Sequence, residues 1–427
     1  MAEVDPTGRR AVARVRRRLI PFLFLLYVVA YLDRVNVGFA ALDMNRDLGF
    51  SAAVYGLGSG IFFVSYTLLE VPSNLMLARV GAAVWIARIM LTWGLVSAGM
   101  AFVQDATSFY VLRFLLGAAE AGFFPGIIYY LTQWFPARER ARAVALFMTG
   151  TAIAGVIGGP LSSALLLLDG TWGLHGWQWL FVVEAMPAIA LAPVVWRRLD
   201  DGPAQATWLA EDERRWLVAA LAAERATAPP GHGSLRAAFA SARLWALAAI
   251  YFSVVLAIYG VSFWLPQMLQ ALGGASSAVV ALVSAVPYVA AAIAMVAVGA
   301  RSDRTGERRW HVAGSAVAGA LGFVLAALGP ASFAFSLMAL SLAAMGVWGT
   351  LGPFWALPTA FLTGRAAAGG VALVNSVANI GGFVGPTLMG YLRDLTGGFA
   401  ASLWLLAAAL LAGAAIAVAL RPPADSR

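Results

Sequence analysis

The chain of 427 residues contains no cysteine and no lysine. The absence of cysteine excludes disulfide bonds, cysteine-ligated zinc and thiol chemistry. Charged residues are also scarce, at 12% of the chain, whereas 61% of the residues are hydrophobic. This composition is far more apolar than a soluble domain of the same length requires. It predicts a polytopic membrane protein that is surrounded by a lipid bilayer.

The basic residues form a topology signal. The formal net charge is +8, and every basic residue is an arginine. Most arginines lie in short polar gaps between apolar runs, a pattern that predicts membrane topology and no nucleic-acid partner. The arginine-rich gaps share a side with both chain ends, so we expect both termini to be cytoplasmic. The first apolar run continues past Ala40 without a suitable cleavage site, which predicts an uncleaved first span.

A helix that crosses a bilayer needs about 20 predominantly apolar residues. By this measure the sequence predicts twelve transmembrane helices. Their expected ranges are 19–41, 52–77, 83–103, 108–134, 142–167, 178–196, 244–271, 277–300, 311–330, 333–362, 367–392 and 398–420.

A single long polar insertion separates the first six spans from the last six. The predicted organisation is therefore an N-terminal basic segment (1–18), an N-terminal six-helix bundle (19–196), a cytoplasmic linker (197–243), a C-terminal six-helix bundle (244–420) and a cytoplasmic tail (421–427).

Two short strings recur in the second half at almost the same offset. Residues 79–81 and 304–306 share the pattern Arg-x-Gly, and residues 155–160 and 381–386 share Gly-x-x-x-Gly-Pro. The second span thus matches the eighth, and the fifth matches the eleventh. Such a parallel repeat predicts an all-α fold of two pseudo-symmetric six-helix bundles with a site between them.

The repeated loop resembles a motif of the major facilitator superfamily. Residues 299–311, GARSDRTGERRWH, resemble the cytoplasmic loop motif of that superfamily. The first-half copy departs from the motif at Ala78, where an acidic residue is usual, so there the latch is weaker or is supplied by other groups. The resemblance implies a cytoplasmic gate formed by Arg79, Gly81, Asp303, Arg304 and Gly306.

Within the superfamily, the chain resembles the anion:cation symporter family of phthalate, tartrate, hexuronate and sugar-acid permeases. Four strings carry this resemblance: YLDRVNVGFA (31–40), EVPSNLMLARVG (70–81), RFLLGAAEAGFFPGIIYYLTQWFP (113–136) and NSVANIGGFVGPTLMGYL (375–392). The resemblance implies a secondary active transporter of the bacterial inner membrane. We expect it to take up an organic carboxylate anion with a proton, by alternating access.

Four charged residues lie inside predicted spans of the first half: Asp33 and Arg34 in the first, Arg113 and Glu120 in the fourth. A charge near the bilayer centre costs roughly 2.5–3.5 kcal/mol on the insertion scale, so such residues usually mark a pathway. The spacing of Arg113 and Glu120 predicts that both lie on one helix face. The alternative is that the four groups only neutralise one another as buried ion pairs.

Arginine can hold a carboxylate through a bidentate fork, so Arg34 is the predicted site of the substrate anion. The resemblance implies that Asp33 and Glu120 handle protons and that Arg113 interacts with these acids. The expected coupling ion is the proton, with sodium left open. No cofactor is expected, and the three histidines show no metal-ligand spacing.

The predicted spans of the second half contain no acidic or basic residue before Arg365, at a cytoplasmic boundary. This half can therefore offer the substrate shape and neutral hydrogen bonds, although each aromatic residue also fits ordinary packing. The residues predicted to contact substrate, besides Arg34, are Tyr31, Tyr66, Tyr259, Trp264, Trp348, Trp355, Asn375 and Asn379.

Several alternatives stay open at this point. Glu70 fits a helix-end or gate contact better than a proton carrier, and Glu184 fits a proton relay as well as it fits a hydrogen-bonded structural role. The Gly-x-x-x-Gly-Pro string of the fifth span also partly resembles drug exporters, which keeps proton-coupled drug antiport as a second function. No nucleophile-base set or phosphate loop predicts an enzyme. We expect a functional monomer, and the sequence does not identify the carboxylate.

Overall fold

The computed structural model describes residues 5–227, 241–272, 275–330, 332–361 and 364–420. These ranges are mainly helical, and we number their α-helices in chain order. The helices are α1 (Pro6–Asp47), α2 (Ala52–Val80), α3 (Ala82–Gly99), α4 (Ala106–Glu120), α5 (Phe123–Trp134), α6 (Ala137–Met148), α7 (Gly150–Leu166), α8 (Gly176–Arg198), α9 (Glu211–Thr227), α10 (Ala242–Gln270), α11 (Ser277–Val283), α12 (Ala285–Thr305), α13 (Arg309–Leu328), α14 (Phe333–Gly349), α15 (Leu351–Phe361), α16 (Gly364–Thr396) and α17 (Ala400–Ala419).

In the described part of the chain, 11 helical segments are long and apolar enough to cross a membrane. They correspond to predicted spans one to ten and to span twelve. The predicted eleventh span corresponds to α16, a helix of 33 residues. Helices α1 to α8 form the N-terminal bundle, and helices α10 to α17 form the C-terminal bundle.

Several predicted spans are built from two shorter helices. The fourth span consists of α4 and α5, and the eighth consists of α11 and α12. The sequence predicts one span in each case because both of its segments are apolar. Side chains that face lipid or protein are apolar in a continuous helix and in an interrupted one. An apolar run therefore does not reveal where the helix breaks.

The first helix begins well before the predicted start of span one. Asp5 accepts a hydrogen bond of 2.9 Å from the backbone N–H of Thr7, and Pro6 begins the helix. Both residue types favour a helix N-terminus. The helix then continues through residue 18, so no helix end marks the predicted boundary between the basic segment and the first bundle.

Helix α9 lies within the predicted linker and packs on the start of α1. Arg14 forms an ion pair of 2.9 Å with Glu213, and Gly8 lies directly against the Trp216 ring. These contacts attach the linker to the N-terminal bundle. The predicted tail (421–427), linker residues 228–240 and the first four residues lie outside the described part of the chain.

The two bundles approach each other closely where α2 meets α16. A Cβ atom at Gly390 would lie 2.2 Å from the backbone oxygen of Ala52, and one at Gly56 would lie 2.5 Å from the backbone oxygen of Pro386. Glycine lets two helix backbones come this near, as is common between membrane helices.

Candidate functional site

Asp33 and Arg34 are neighbours on α1 but contact different helices. The Asp33 carboxylate accepts a hydrogen bond from the Ser97 hydroxyl of α3 and another of 3.2 Å from Asn36. Arg34 instead contacts Glu120 and Tyr259. Successive side chains of a helix point about 100° apart, so this acidic and basic pair cannot share one set of partners.

Arg34 links the two bundles through buried contacts. Its guanidinium forms a buried ion pair with Glu120 of α4 and donates a hydrogen bond of 3.1 Å to the Tyr259 hydroxyl of α10. It also lies over the rings of Tyr66 and Phe62, at 5.2 and 5.5 Å from their centroids. The structure thus brings together Arg34, Glu120, Tyr66 and Tyr259 among the predicted site residues.

The backbone breaks directly after Glu120. Helix α4 ends at this residue, Gly122 has φ +87°, and α5 starts at Phe123. A Cβ atom at Gly122 would lie 2.3 Å from the Ser73 hydroxyl of α2. The break therefore needs glycine for both its backbone conformation and the close approach of α2. The predicted fourth span (108–134) is present as Ala106–Trp134, with this break inside it.

Arg113 and Glu120 are both buried on α4, as their spacing predicts. Arg113 donates hydrogen bonds of 3.2 and 3.1 Å to the backbone oxygens of Gly58 and Ser59. It forms no hydrogen bond with either predicted acid in the described residues, although its charge acts on both Asp33 and Glu120. Its guanidinium lies 5.1 Å from the centroid of the Phe62 ring, the same ring that Arg34 covers.

Asn375 and Asn379 contact an acid of the other bundle. Their side-chain amides on α16 donate hydrogen bonds of 3.1 and 3.2 Å to the two carboxylate oxygens of Glu70 on α2. The three side chains therefore join the bundles, which agrees with the gate-contact interpretation of Glu70. The sequence gives no signal for this pairing, because the residues are far apart in the chain.

Three aromatic residues predicted to contact substrate pack against other residues of the protein. Trp264 is fully buried and donates a hydrogen bond of 3.3 Å to the backbone oxygen of Pro386. Trp348 packs edge-on against Tyr288, with ring centroids 5.6 Å apart. The Trp355 ring lies 4.9 Å from that of Tyr251. None of their ring contacts in the described chain includes Arg34 or Glu120.

Tyr31 lies on α1, two residues before Asp33. Its ring is buried edge-on against Tyr27, with a centroid separation of 6.5 Å. The hydroxyl donors predicted in the N-terminal bundle, Tyr31 and Tyr66, are thus both buried.

The two copies of the loop motif have different contacts. In the second copy, Asp303 forms an ion pair of 2.5 Å with Arg308, Arg304 is exposed, and Gly306 ends α12. The ion pair thus lies within one loop.

In the first copy, Arg79 is exposed and Gly81 packs against the carboxylate of Asp201. Asp201 also accepts a hydrogen bond of 3.1 Å from the backbone N–H of Ala83 at the start of α3. An acid from beyond α8 therefore lies beside the loop in which Ala78 replaces the usual one.

A second contact between bundles lies at the end that the arginine pattern assigns to the outside. The carboxylate of Asp394 accepts hydrogen bonds of 3.0 and 2.8 Å from the backbone N–H groups of Ala52 and Ala53. These groups begin α2, where a helix has unpaired donors and a partial positive charge. Nearby, the Tyr55 hydroxyl donates a hydrogen bond of 2.7 Å to the backbone oxygen of Phe263.

Two membrane-spanning bundles that meet around buried charged groups define a membrane transporter. The chain belongs to the Major Facilitator Superfamily, whose profile matches residues 23–386. The superfamily and the two-bundle fold predicted from the sequence are thereby confirmed.

Named relatives match nearly the whole chain. A putative tartrate transporter of Agrobacterium vitis is 50% identical over 96% of this chain and 94% of its own length. The putative metabolite transport protein NicT of Pseudomonas putida is 45% identical over 98% and 96% of the two chains. A quinolone resistance transporter of Acinetobacter baumannii is 42% identical over 94% and 93%.

A solved structure supports the fold. The partially occluded, inward-open xylose transporter XylE of E. coli superposes with a TM-score of 0.73. The alignment covers 96% of this chain and 98% of XylE at 13% identity. At this identity the likeness concerns the fold alone.

Proposed function

We propose that the protein is a proton-coupled symporter that takes up an organic carboxylate anion by alternating access, and that it catalyses no chemical reaction. That the protein is a transporter follows from its superfamily. The coupling to protons and the class of substrate are proposed here. The observation that carries it is the position of Arg34, which hydrogen-bonds Glu120 of one bundle and Tyr259 of the other.

Arg34 and Glu120 together offer a way to couple proton and substrate. A substrate carboxylate that binds the guanidinium through two parallel hydrogen bonds competes with Glu120 for the positive charge and the Nη2 donor of Arg34. Protonation of Glu120 removes its charge and weakens its hold on Arg34. Proton binding therefore favours substrate binding, and by linkage substrate binding favours proton binding. This reciprocity is what a symporter requires.

Alternation follows from the contacts between the bundles. Tyr259 binds Arg34 only when α10 is near α1, so an anion that occupies Arg34 changes the balance between closed and open arrangements. The Glu70 contact with α16 and the Asp394 contact with α2 lie at different heights along the bundles and can open in turn. Asp33 lies next to Arg34 and supplies a further buried carboxyl.

The name of the relative that is 50% identical favours a hydroxy-dicarboxylate such as tartrate as the first substrate to test. We further propose a bacterial inner-membrane location with both termini cytoplasmic, from the arginine pattern, and function as a monomer. Proton rather than sodium is proposed because Asp33 and Glu120 are buried carboxyl groups that can each bind a proton.

The test uses purified protein in liposomes with an imposed pH gradient, with and without a sodium gradient. Tartrate and aromatic and aldonic acids are the candidate substrates. Arg34→Ala should abolish binding of every acid that the unchanged protein transports. Glu120→Gln should retain substrate exchange between the two sides but lose pH-driven accumulation. Unchanged pH-driven accumulation in Glu120→Gln would contradict the proposal, as would accumulation driven by sodium alone.

A second candidate is proton-coupled efflux of drugs, which the name of the 42% identical quinolone resistance transporter favours. The same liposomes, loaded with a fluoroquinolone, distinguish the two functions. Efflux that depends on an inward proton gradient, with the outside acidic, and that persists in Arg34→Ala would favour antiport. Carboxylate uptake that Arg34→Ala abolishes would favour symport.

A further inference from the structure

Glu184 is a buried acid that the proposed transport step does not use. It lies on α8 inside the N-terminal bundle and is 4% exposed. The hydroxyl of Ser162, on α7, donates a hydrogen bond of 3.1 Å to its Oε1 atom. Ser162 is itself fully buried, so bulk water does not solvate this carboxyl group.

No cation of the described chain pairs with Glu184. The helices packed against α8 are mainly α3, α1 and α7. Helix α7 contains no titratable residue. The single charged residue of α3, Arg88, lies over the Trp85 ring at 4.0 Å. On α1 the charged group that acts on Glu184 is another acid, Asp33.

Asn36 interacts with both acids. Its Nδ2 atom donates a hydrogen bond of 3.2 Å to Asp33, and its side chain also acts electrostatically on the carboxyl group of Glu184. In the described chain, the Oδ1 atom of Asn36 and the Oδ2 atom of Asp33 are both buried without a hydrogen-bond partner. Buried polar atoms without partners are rare and call for an explanation.

A proton on Glu184 supplies the missing donor. An ionised carboxylate only accepts hydrogen bonds, whereas a protonated one has an O–H that can donate to the Oδ1 atom of Asn36. The Asn36 amide can then accept from Glu184 and donate to an ionised Asp33 at the same time. With its amide rotated by half a turn it can serve the reverse case, in which Asp33 is protonated and Glu184 is ionised.

We propose that Glu184 is a further proton-binding site of this transporter, and that Asp33 and Glu184 share one proton across Asn36. Two ionised carboxylates in one buried cluster repel each other, and a buried charge without a cation is unfavourable. The binding step forms one O–H bond on Glu184 and breaks one O–H bond of the hydronium ion that delivers the proton, which leaves a water molecule. Ser162 and Asn36 are positioning residues of this site.

The inference rests on the proposed function because it adds a proton-binding group to a proton-coupled cycle. Because Glu184 can hold the proton, Asp33 can be ionised while the proton stays in the protein. Substrate at Arg34 would then change the charge of the bundle without releasing that proton. The sequence left Glu184 open between relay and structural roles, and its interactions with Ser162 and Asn36 support the relay.

Infrared difference spectroscopy on the purified protein tests the inference without any substrate. A buried protonated carboxyl should give a C=O band at neutral pH that shifts in D2O. Glu184→Gln should lower the intensity of this band by the amount that one carboxyl group contributes. If the proton moves to Asp33 in this variant, the band should change frequency instead. Asn36→Leu should shift the band, because it removes the acceptor. An identical band in the unchanged protein and Glu184→Gln would overturn the inference.

Glu70→Gln is the matched control, because Glu70 is also buried but accepts two amide N–H groups and has no need of a proton. It should leave the band unchanged. Glu184→Gln keeps the acceptor for Ser162, so folding is expected, and a monodisperse elution profile checks it. Failure of carboxylate transport with the band present would contradict the proposed function alone. Transport with no band in the unchanged protein would contradict this inference alone.

Discussion

Asn379 of the C-terminal bundle donates a hydrogen bond of 3.2 Å to Glu70 of the N-terminal bundle. The bond crosses the boundary that must open when such a transporter changes conformation. Asn375 donates to the other oxygen of the same carboxylate at 3.1 Å. One acid is thus held by two amides of the opposite bundle, and its partners have to leave together when the bundles separate.

Replacement of both amides, Asn375→Ala with Asn379→Ala, should favour separation of the bundles at this point. Each hydrogen bond to a charged group contributes about 1.5–3 kcal/mol, and each 1.4 kcal/mol or so is a factor of about ten in an equilibrium. We expect the open population to rise by a factor of ten or more. Spin labels at Arg79→Cys and Arg304→Cys would report it as longer distances in pulsed electron paramagnetic resonance.

The absence of native cysteine means that only the introduced positions are labelled. Asn74→Ala is the control, since Asn74 also donates to Glu70 but to its backbone oxygen within the same helix. It should leave the distance distribution unchanged. An equal response to both replacements would contradict a role of the Glu70 contact between the bundles.

Gly390→Ala should prevent closure at the opposite end. The added Cβ atom would lie 2.2 Å from the backbone oxygen of Ala52, and backbone atoms cannot yield as a side chain can. Labels at Arg46→Cys and Leu395→Cys should therefore move apart, and transport should fall. Gly314→Ala is the control because nothing lies within 4 Å of its added atom; if it had the same effect, the approach of α2 and α16 would not be the cause.

Gly122→Ala should weaken both folding and the Arg34–Glu120 contact. Its positive φ costs an L-residue about 1–2 kcal/mol, and the added atom would lie 2.3 Å from the Ser73 hydroxyl. Gly170→Ala carries the same strain, with φ +80°, and has nothing within 4 Å. The fall in melting temperature should therefore be larger for Gly122→Ala, and only that variant should lose substrate binding. Equal falls would show that crowding against α2 does not matter.

Asp105 gives a pH dependence with a definite sign. Its side chain caps α4 by accepting a hydrogen bond of 2.7 Å from the backbone N–H of Ser108, and this bond lowers the pKa of Asp105 below its ordinary value of 3.8. A lowered pKa in the folded state stabilises the protein above the ordinary pKa, and this contribution is lost as the pH falls through the folded pKa.

The melting temperature of Asp105→Ala should therefore be lower than that of the unchanged protein at neutral pH, by an amount that shrinks only in strong acid. Ser276→Ala removes a cap that does not titrate, the hydroxyl that accepts from Val279 at the start of α11. Its effect should not depend on pH. A difference for Asp105→Ala that already disappears near neutral pH would contradict the lowered pKa.

Individual predictions from the sequence differ in how well the structure bears them out. The spans were predictable because burial in lipid requires apolar side chains along each helix, whatever that helix contacts. The burial of Asp33, Arg34, Arg113 and Glu120 was predictable for the same reason, since each lies within an apolar run. The partner of Arg113 was not, because backbone oxygens of α2 carry no sequence signature.

The amino-acid sequence by itself determined the membrane fold, the division into two halves and the confinement of buried charge to the first half, since these depend on composition and local pattern. Tertiary structure alone decided which groups meet: Arg34 with Tyr259, Glu70 with Asn379, Asp394 with the start of α2. Such contacts join residues of different bundles, and their partners depend on how helices pack and where glycine lets the backbone break or approach. Hydrophobic pattern specifies that a helix is buried, but not against which neighbour.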